Sequence, residues 1–314
     1  MTTNSLRWLV IGIGDITRKR VIPAIQEEAR SEFYGVVTRD PAKALAYPGA
    51  RAWTSLEEAL DDPAIDAVYV ASPVALHASH TISALRAGKH VLCEKPVGMN
   101  YTEAQSMVEV AGAGGKLFGV AFYRRLYPKL IRAKQLIAQG LIGQPVLAEA
   151  WAHGWLESED RGWLRDRALS GGGPLFDTGS HRIDAFHFLF GKAREAVALT
   201  SNVVHRMSVE DSATVLIDYE SGPRGIVDVR WNSRISRDDF RIIGTEGMLD
   251  LTPLNGPELR HGESLDMLPA HRNVHYPLIE NFTNAVLDGT PLACPGVEAV
   301  ETDRVTQASL TRIA

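Results

Sequence analysis

The stretch Arg7-Trp8-Leu9-Val10-Ile11-Gly12-Ile13-Gly14-Asp15-Ile16-Thr17 is an apolar run that ends in glycine and passes directly into a helical pattern. An unbroken apolar run of this length reads as a strand buried on both faces, the kind that parallel sheets use. The first glycine suits a tight turn, and the second leaves room for a pyrophosphate to approach the backbone. The helix that follows presents its N-terminal N–H groups and positive dipole end to the same point. Gly12, Gly14, Asp15 and Ile16 are therefore candidate dinucleotide-binding residues. Thr17 occupies the position where the full fingerprint has a Gly or Ala, so the motif is incomplete. Helical periodicity continues from Ile16 to Ala29, with Pro23 inside it as an expected kink.

Strand and helix patterns alternate outward from this point. Phe33 to Thr38, Ala67 to Ala71, His90 to Cys93 and Leu117 to Ala121 read as further buried strands. Between them, Asp40-Pro41 starts a helix with an N-cap and a proline at its first position. Ser55 with Glu58 fits a capping box. This predicts a doubly wound parallel α/β sheet, a Rossmann domain over residues 1–121. From residue 122 the pattern changes. Pro128 to Gln139 reads as a helix, Val146 to Ala152 as a strand, and a glycine-rich turn at Gly171 to Gly173 leads into a helix from Leu175 to Phe190. The strands Val197 to His205, Ala213 to Tyr219, Gly225 to Asn232, Asp239 to Ile243 and Met248 to Leu251 follow, joined by short turns and so expected to be antiparallel. Two helices, Leu278 to Leu287 and Val297 to Thr311, end the chain. Residues 122–314 are thus expected to form one α+β domain.

The end of the second strand bears on cofactor choice. Asp40 is accounted for as a helix N-cap, which leaves Thr38 and Arg39 facing a ribose. Arg39 can hold a 2′-phosphate, and Arg18 can add charge, so NADP is the expected cofactor. NAD is the alternative if Arg39 is only a solvated surface charge. The 314 residues have a net charge of −5 and no long basic run, which argues against nucleic acid as a partner. No apolar segment is long enough for a membrane helix. Cys93 and Cys294 form no CxxC pair, and no signal peptide is evident; these features suggest a cytoplasmic protein with reduced thiols.

Three later stretches, in this order, resemble the glucose-fructose oxidoreductase/inositol dehydrogenase (Gfo/Idh/MocA) family. They are Ala71-Ser72-Pro73 with His77, then Gly88-Lys89-His90-Val91-Leu92-Cys93-Glu94-Lys95-Pro96, then Gly171-Gly172-Gly173-Pro174-Leu175-Phe176-Asp177-Thr178-Gly179-Ser180-His181. The flanks Trp163-Leu164-Arg165, Glu210-Asp211 and Gly244-Thr245-Glu246-Gly247 are similar too. The resemblance implies a Rossmann domain followed by a large, open, mainly antiparallel sheet that supports a homodimer or homotetramer. It also implies hydride transfer between a nicotinamide and a hydroxyl-bearing carbon of a sugar, cyclitol or related polyol. Ser72, Pro73, His77, Glu94 and Lys95 then join the cofactor-binding candidates.

Alcohol–carbonyl interconversion needs a proton-transfer group beside the reacting oxygen. By resemblance Lys95 contacts that oxygen, with Glu94 orienting it and Pro96 shaping the loop. Asp177 and His181 are four apart and share a helix face, which Asp184 extends. Ile183, Phe186 and Phe190 read as the core-facing side, so the polar stripe is expected to face a cleft or solvent. His181 is the expected proton-transfer group because its pKa lies near neutrality, and Asp177 the substrate-positioning one. Tyr123, Arg124 and Arg125 after the last Rossmann strand, and Trp163 and Arg165 before the glycine turn, are weaker substrate-binding candidates. His181 and His187 lack metal-site company, and His261, His271 and His275 lie in a polar, surface-like region, so no metal is expected. Two competing readings stay open: a redox-neutral sugar-modifying enzyme with a tightly held nicotinamide, and a non-catalytic nucleotide sensor.

Overall fold

The computed structural model describes residues 5–157 and 159–308. It divides into two compact units, residues 1–123 with 271–300 and residues 124–270 with 301–314. Six parallel strands build the sheet of the first unit: β1 (Leu6–Ile11), β2 (Ser31–Val37), β3 (Arg51–Trp53), β4 (Ala67–Val70), β5 (His90–Cys93) and β6 (Phe118–Val120). They lie in the order β3-β2-β1-β4-β5-β6. Strands β4 and β6 are buried at every residue, as expected where helices cover both faces. Only β3 escapes the sequence reading. At three residues and an edge position it is too short to show a periodicity.

Local chemistry sets the helix starts. The Asp40 side chain accepts from Ala42 N at 3.0 Å, and the Ser55 hydroxyl accepts from Glu58 N at 3.2 Å. The kink expected at Pro23 takes the form of a π turn over Thr17–Val21, directly before Ile22–Glu27. Proline cannot donate into the helical ladder, and the wider turn before it accommodates the missing bond.

A single boundary after residue 121 does not describe the units, because residues 271–300 return to the first one. Phe282, on the helix Tyr276–Asp288, packs its ring 5.1 Å from that of the fully buried Trp8. The Trp8 indole donates to the Ser31 hydroxyl at 3.2 Å, and that hydroxyl lies 2.8 Å from that of Thr283. Arg30 pairs with Asp288 at 2.8 Å. An apolar helix face signals that it must be buried but not against which partner, so the sequence placed this helix with its neighbours in the chain.

The second unit is built on an eight-stranded sheet: β7 (Pro145–Trp155), β8 (Ala193–Ser201), β9 (Ser212–Tyr219), β10 (Arg224–Arg230), β11 (Asn232–Gly244), β12 (Met248–Asp250), β13 (Glu258–His261) and β14 (Ser264–Met267). Its order is β14-β13-β12-β11-β7-β10-β9-β8, antiparallel except where β7 meets β10. The helix Ser180–Phe190 is buried over most of its length, the charged Arg182 and Asp184 included. Asp184, expected to extend a solvent- or cleft-facing stripe, is instead buried against Arg125, and the fold supplies partners for the charges it buries. Among the described residues no helix is long and apolar enough to cross a membrane.

His187 gives this packing a measurable signature. Its Nδ1 lies 3.1 Å from Gly191 O, and its ring sits edge-on to Tyr219. Burial, assisted by the charges of Arg125 and Arg304, lowers its pKa to about 4. The unfolded chain, with an ordinary imidazole, takes up the proton first as pH falls. The contribution is therefore complete above about pH 6.5 and is lost toward pH 4, amounting to about 3 kcal/mol. Urea unfolding of His187→Phe should show a flatter pH dependence than wild type across that window.

Candidate active site

Because β1 to β6 are parallel, their C-terminal ends share one edge, where open α/β sheets bind ligands. The ladder continues past the strands. Gly12 N donates to Val37 O, Ala71 N to Ile11 O, Glu94 N to Val70 O and Ala121 N to Cys93 O, all at 2.8–3.0 Å. Gly12, Thr38, Ser72, Lys95 and Tyr123 therefore follow consecutive ends of one edge. Gly12 has a φ of +94°, and a Cβ there would lie 2.8 Å from Ala71 O, so only glycine fits. A Cβ on Gly14 would meet no protein atom within 4 Å. The protein has no steric need for that glycine, whereas a dinucleotide pyrophosphate does. The residues present thus fit the cofactor that the fold implies.

Thr17, the departure from the fingerprint, is fully buried and closes the loop on itself. Its hydroxyl accepts from Gly14 N at 2.8 Å and donates to Gly14 O at 2.9 Å. Asp15 is exposed and pairs with Arg18 at 2.7 Å and Lys19 at 2.9 Å, and its hydrogen bonds to Lys19 and Arg18 hold its carboxyl below the usual range. Arg18 thereby already has an anionic partner. Ile16 is exposed on the same turn. Thr38 is buried, its hydroxyl 3.2 Å from Asp40 N, while Arg39 is exposed and makes no ion pair among the described residues.

The loops after β4 and β5 are tied together by His77. Its Nδ1 lies 2.9 Å from Pro96 O and its Nε2 2.9 Å from Ser72 O. A neutral imidazole has one N–H, so only one of these contacts is a donated bond at a time. Burial keeps the ring below its ordinary pKa, against the pull of both carbonyls. His77, a cofactor-binding candidate, braces Ser72 and Pro73 against the Lys95-Pro96 peptide, which is cis. Glu94 is anchored in the same unit. Its Oε1 accepts from the Tyr69 hydroxyl at 2.8 Å, and its Oε2 accepts from Lys95 N at 3.3 Å. His275, expected on the surface, is 1% exposed, with Nε2 3.4 Å from Glu94 Oε1 and its ring 5.0 Å from that of Tyr123. The spacing of the chain carries a signal for this burial. His275, Leu278, Ile279 and Phe282 repeat at i, i+3, i+4 and i+7, one buried helix stripe.

In the second unit, Glu210 organises the entry to the helix that carries Asp177 and His181. Its Oε1 accepts from Gly173 N at 2.8 Å and Leu175 N at 3.2 Å, and burial pushes its carboxyl up. A Cβ on Gly173 would lie 2.0 Å from Glu210 O. Asp177 is half-buried, in a π turn at Leu175–Gly179, and His181 follows in the α-helix, 6% exposed. Asp184 and Arg125, both substrate-binding candidates, are given to each other. Arg125 Nη2 lies 2.8 Å from Asp184 Oδ1, and both side chains are 1% exposed. Arg124 is also buried and donates to Asn255 at 2.9 Å. Trp163 is 43% exposed, next to the buried Leu164, and Arg165 is half-buried. Among the described residues no cluster of three His, Cys, Asp or Glu side chains is gathered for a metal.

A parallel sheet in this order, with a glycine loop at its first turn and a second unit on an antiparallel sheet, defines a dinucleotide-binding α/β protein. The chain belongs to the Gfo/Idh/MocA family: the description "Oxidoreductase family, NAD-binding Rossmann fold" matches residues 6–122, and "GFO/IDH/MocA C-terminal domain" matches residues 130–250. It is 30% identical over 293 residues to the 1,5-anhydro-D-fructose reductase of Ensifer adhaerens, covering 89% of this chain and 88% of that one. It is 28% identical over 256 residues to the trans-1,2-dihydrobenzene-1,2-diol dehydrogenase of Bos taurus, covering 79% and 74%. Its structure is similar to that of GenD2 from gentamicin A biosynthesis in complex with NAD, at a TM-score of 0.84 and 26% identity, covering 98% of this chain and 93% of that one.

Two substitutions separate stability from ligand binding. Gly14→Ala should leave the thermal midpoint unchanged and weaken NADH binding at least about tenfold by fluorescence titration, because its methyl intrudes only on ligand space. Asp184→Ala should lower unfolding stability by about 3–5 kcal/mol in urea, the cost of a buried guanidinium left without its carboxylate.

Proposed function

We propose that the protein transfers hydride between a nicotinamide dinucleotide and a hydroxyl-bearing carbon of a sugar, cyclitol or related polyol. The observation that carries this reading is the common edge of the first sheet, where Lys95 follows β5 and the Gly12–Gly14 loop follows β1. The 1,5-anhydro-D-fructose reductase and dihydrodiol dehydrogenase relatives support the substrate class. A bound nicotinamide supplies the hydride donor or acceptor. Lys95 contacts the reacting oxygen, where its ammonium stabilises developing negative charge. Asp177 holds a substrate hydroxyl and His181 moves the proton. NADP is the favoured cofactor, since Arg39 is exposed beside Thr38 and has no carboxylate partner among the described residues. The eight-stranded sheet is the surface for a homodimer or homotetramer; Leu199 and Leu216, on neighbouring strands, are 77% and 54% exposed.

The test begins with titrations of the purified protein with NADP(H) and NAD(H), wild type beside Arg39→Ala. NADPH binding weakened specifically in Arg39→Ala supports the NADP assignment, and an NAD preference indifferent to the substitution overturns it. Aldoses, anhydro sugars and cyclitols are then screened for product formed in step with reduced nicotinamide consumed or released. Lys95→Met should lower turnover by about 10²–10⁴-fold. Binding of neither cofactor would sink the oxidoreductase reading. Product formed without net nicotinamide change would assign the redox-neutral chemistry instead.

A further inference from the structure

We propose that His275 is a positioning residue for Lys95, acting through Glu94. The chain brings His275 from 181 positions away to a carboxylate that directly precedes the lysine in sequence. Its place is built from both sides. Asn273 Oδ1 accepts from His275 N at 3.1 Å, and Asn273 Nδ2 donates to Arg20 O at 2.8 Å, which anchors the segment to the π turn behind the phosphate loop. The Tyr123 ring lies against the imidazole, and the apolar helix stripe fixes the backbone behind it.

A fully buried imidazole is costly unless a polar group answers it. The group in reach is Glu94 Oε1, 3.4 Å from Nε2, and neither ring nitrogen has a hydrogen bond among the described residues. That distance is long for a charge-assisted bond and closes to one with a small shift. With Nε2–H as donor, Oε1 is shared between His275 and the Tyr69 hydroxyl, and Oε2 is left to the Lys95 backbone N–H. The carboxylate is thereby fixed at both oxygens, and Lys95 begins from a fixed backbone N–H.

The groups facing Glu94 are His275, Tyr69, Lys95 and, beyond Pro96, His77. Burial pushes the Glu94 carboxyl up, but His275, Lys95 and Tyr69 together outweigh burial and hold it below its ordinary value. Without His275 burial is less opposed, so Glu94 takes up its proton at a higher pH. A neutral Glu94 no longer offers Lys95 a neighbouring negative charge. Packing alone would need no nitrogen at position 275, and a phenylalanine would serve.

As an account of turnover this inference rests on the proposed oxidoreductase function, and the first measurement below does not. In full-length ¹⁵N-histidine protein, the imidazole two-bond spectrum assigned with His275→Gln should show Nε2 protonated, and Glu94→Gln should shift that signal. A neutral ring protonated only at Nδ1, or a signal indifferent to Glu94→Gln, overturns the proposal whether or not any sugar is turned over. The second measurement compares His275→Gln, which keeps a nitrogen donor near Nε2, with His275→Phe, which keeps the ring. With the best substrate found, Phe should lower kcat about tenfold or more, leave KM for the cofactor within about threefold, and move the acid limb of the pH profile to higher pH. Gln should recover most of the kcat loss and the original limb. Equal loss in both variants, or a Phe variant more active than Gln, would assign His275 to packing and overturn the proposal.

Discussion

Gly12 sits where the strand order of the first sheet reverses, with β2 on one side of β1 and β4 on the other. Its N–H is bonded to the end of β2, and its α-carbon lies too close to the carbonyl after β4 to carry a side chain. One residue therefore joins the first turn to both neighbours at the point where open α/β sheets leave a crevice. The position of every other loop at this edge follows from that junction and the parallel register beyond it. Thr17 reinforces it, because a hydroxyl that bonds both Gly14 N and Gly14 O stiffens the loop from within. The threonine that makes the fingerprint incomplete is thus part of how this loop holds its shape.

The second unit solves a different problem. It buries charged side chains around the helix Ser180–Phe190 and gives each a specific partner. Asp184 faces Arg125, Arg182 pairs with Asp238 at 2.6 Å, and nearby Lys129 donates to Leu251 O at 2.7 Å while burial lowers its pKa to about 8. Buried pairs of this kind contribute little net stability, but losing one partner is costly. They therefore hold the helix in one orientation more than they strengthen it. Asp177 and His181 lie at the π-to-α junction of that braced helix, with the Glu210 carboxylate fixing the turn before it.

What could be read from the sequence was local or periodic. The unbroken apolar strands, the N-caps at Asp40 and Ser55, the Pro23 irregularity and the glycine-rich turns each carry their reason within a few residues. The pairings that decide roles are not local. Arg125 and Asp184 look like ligand-binding charges when each is taken alone, and only the fold brings one against the other across 59 positions. His77 lies between two backbone carbonyls that its sequence neighbourhood does not reveal. His275 was masked by its polar neighbours His271, Arg272 and Asn273, although its spacing to the apolar stripe marked it as buried. Amphipathic spacing shows that one helix face needs cover. It does not show that the opposite face is covered as well, so nothing in the spacing marks Asp184 as buried.

The return of residues 271–300 to the first unit bears on how the protein is made. Synthesis proceeds from the N-terminus, so all six strands of the first sheet leave the ribosome before the helix bearing Phe282. Until that helix arrives, Trp8 lacks the ring that packs against it and Arg30 lacks Asp288. Residues 124–270 of the second unit fall between the two parts of the first in sequence, so its whole sheet is synthesised while the first unit is unfinished. The nascent chain therefore carries an uncovered aromatic surface for more than half of its length, the kind of intermediate that chaperones retain. A fragment ending near residue 121 would keep that surface permanently open, whereas a circular permutant that begins near residue 271 would present the covering helix first.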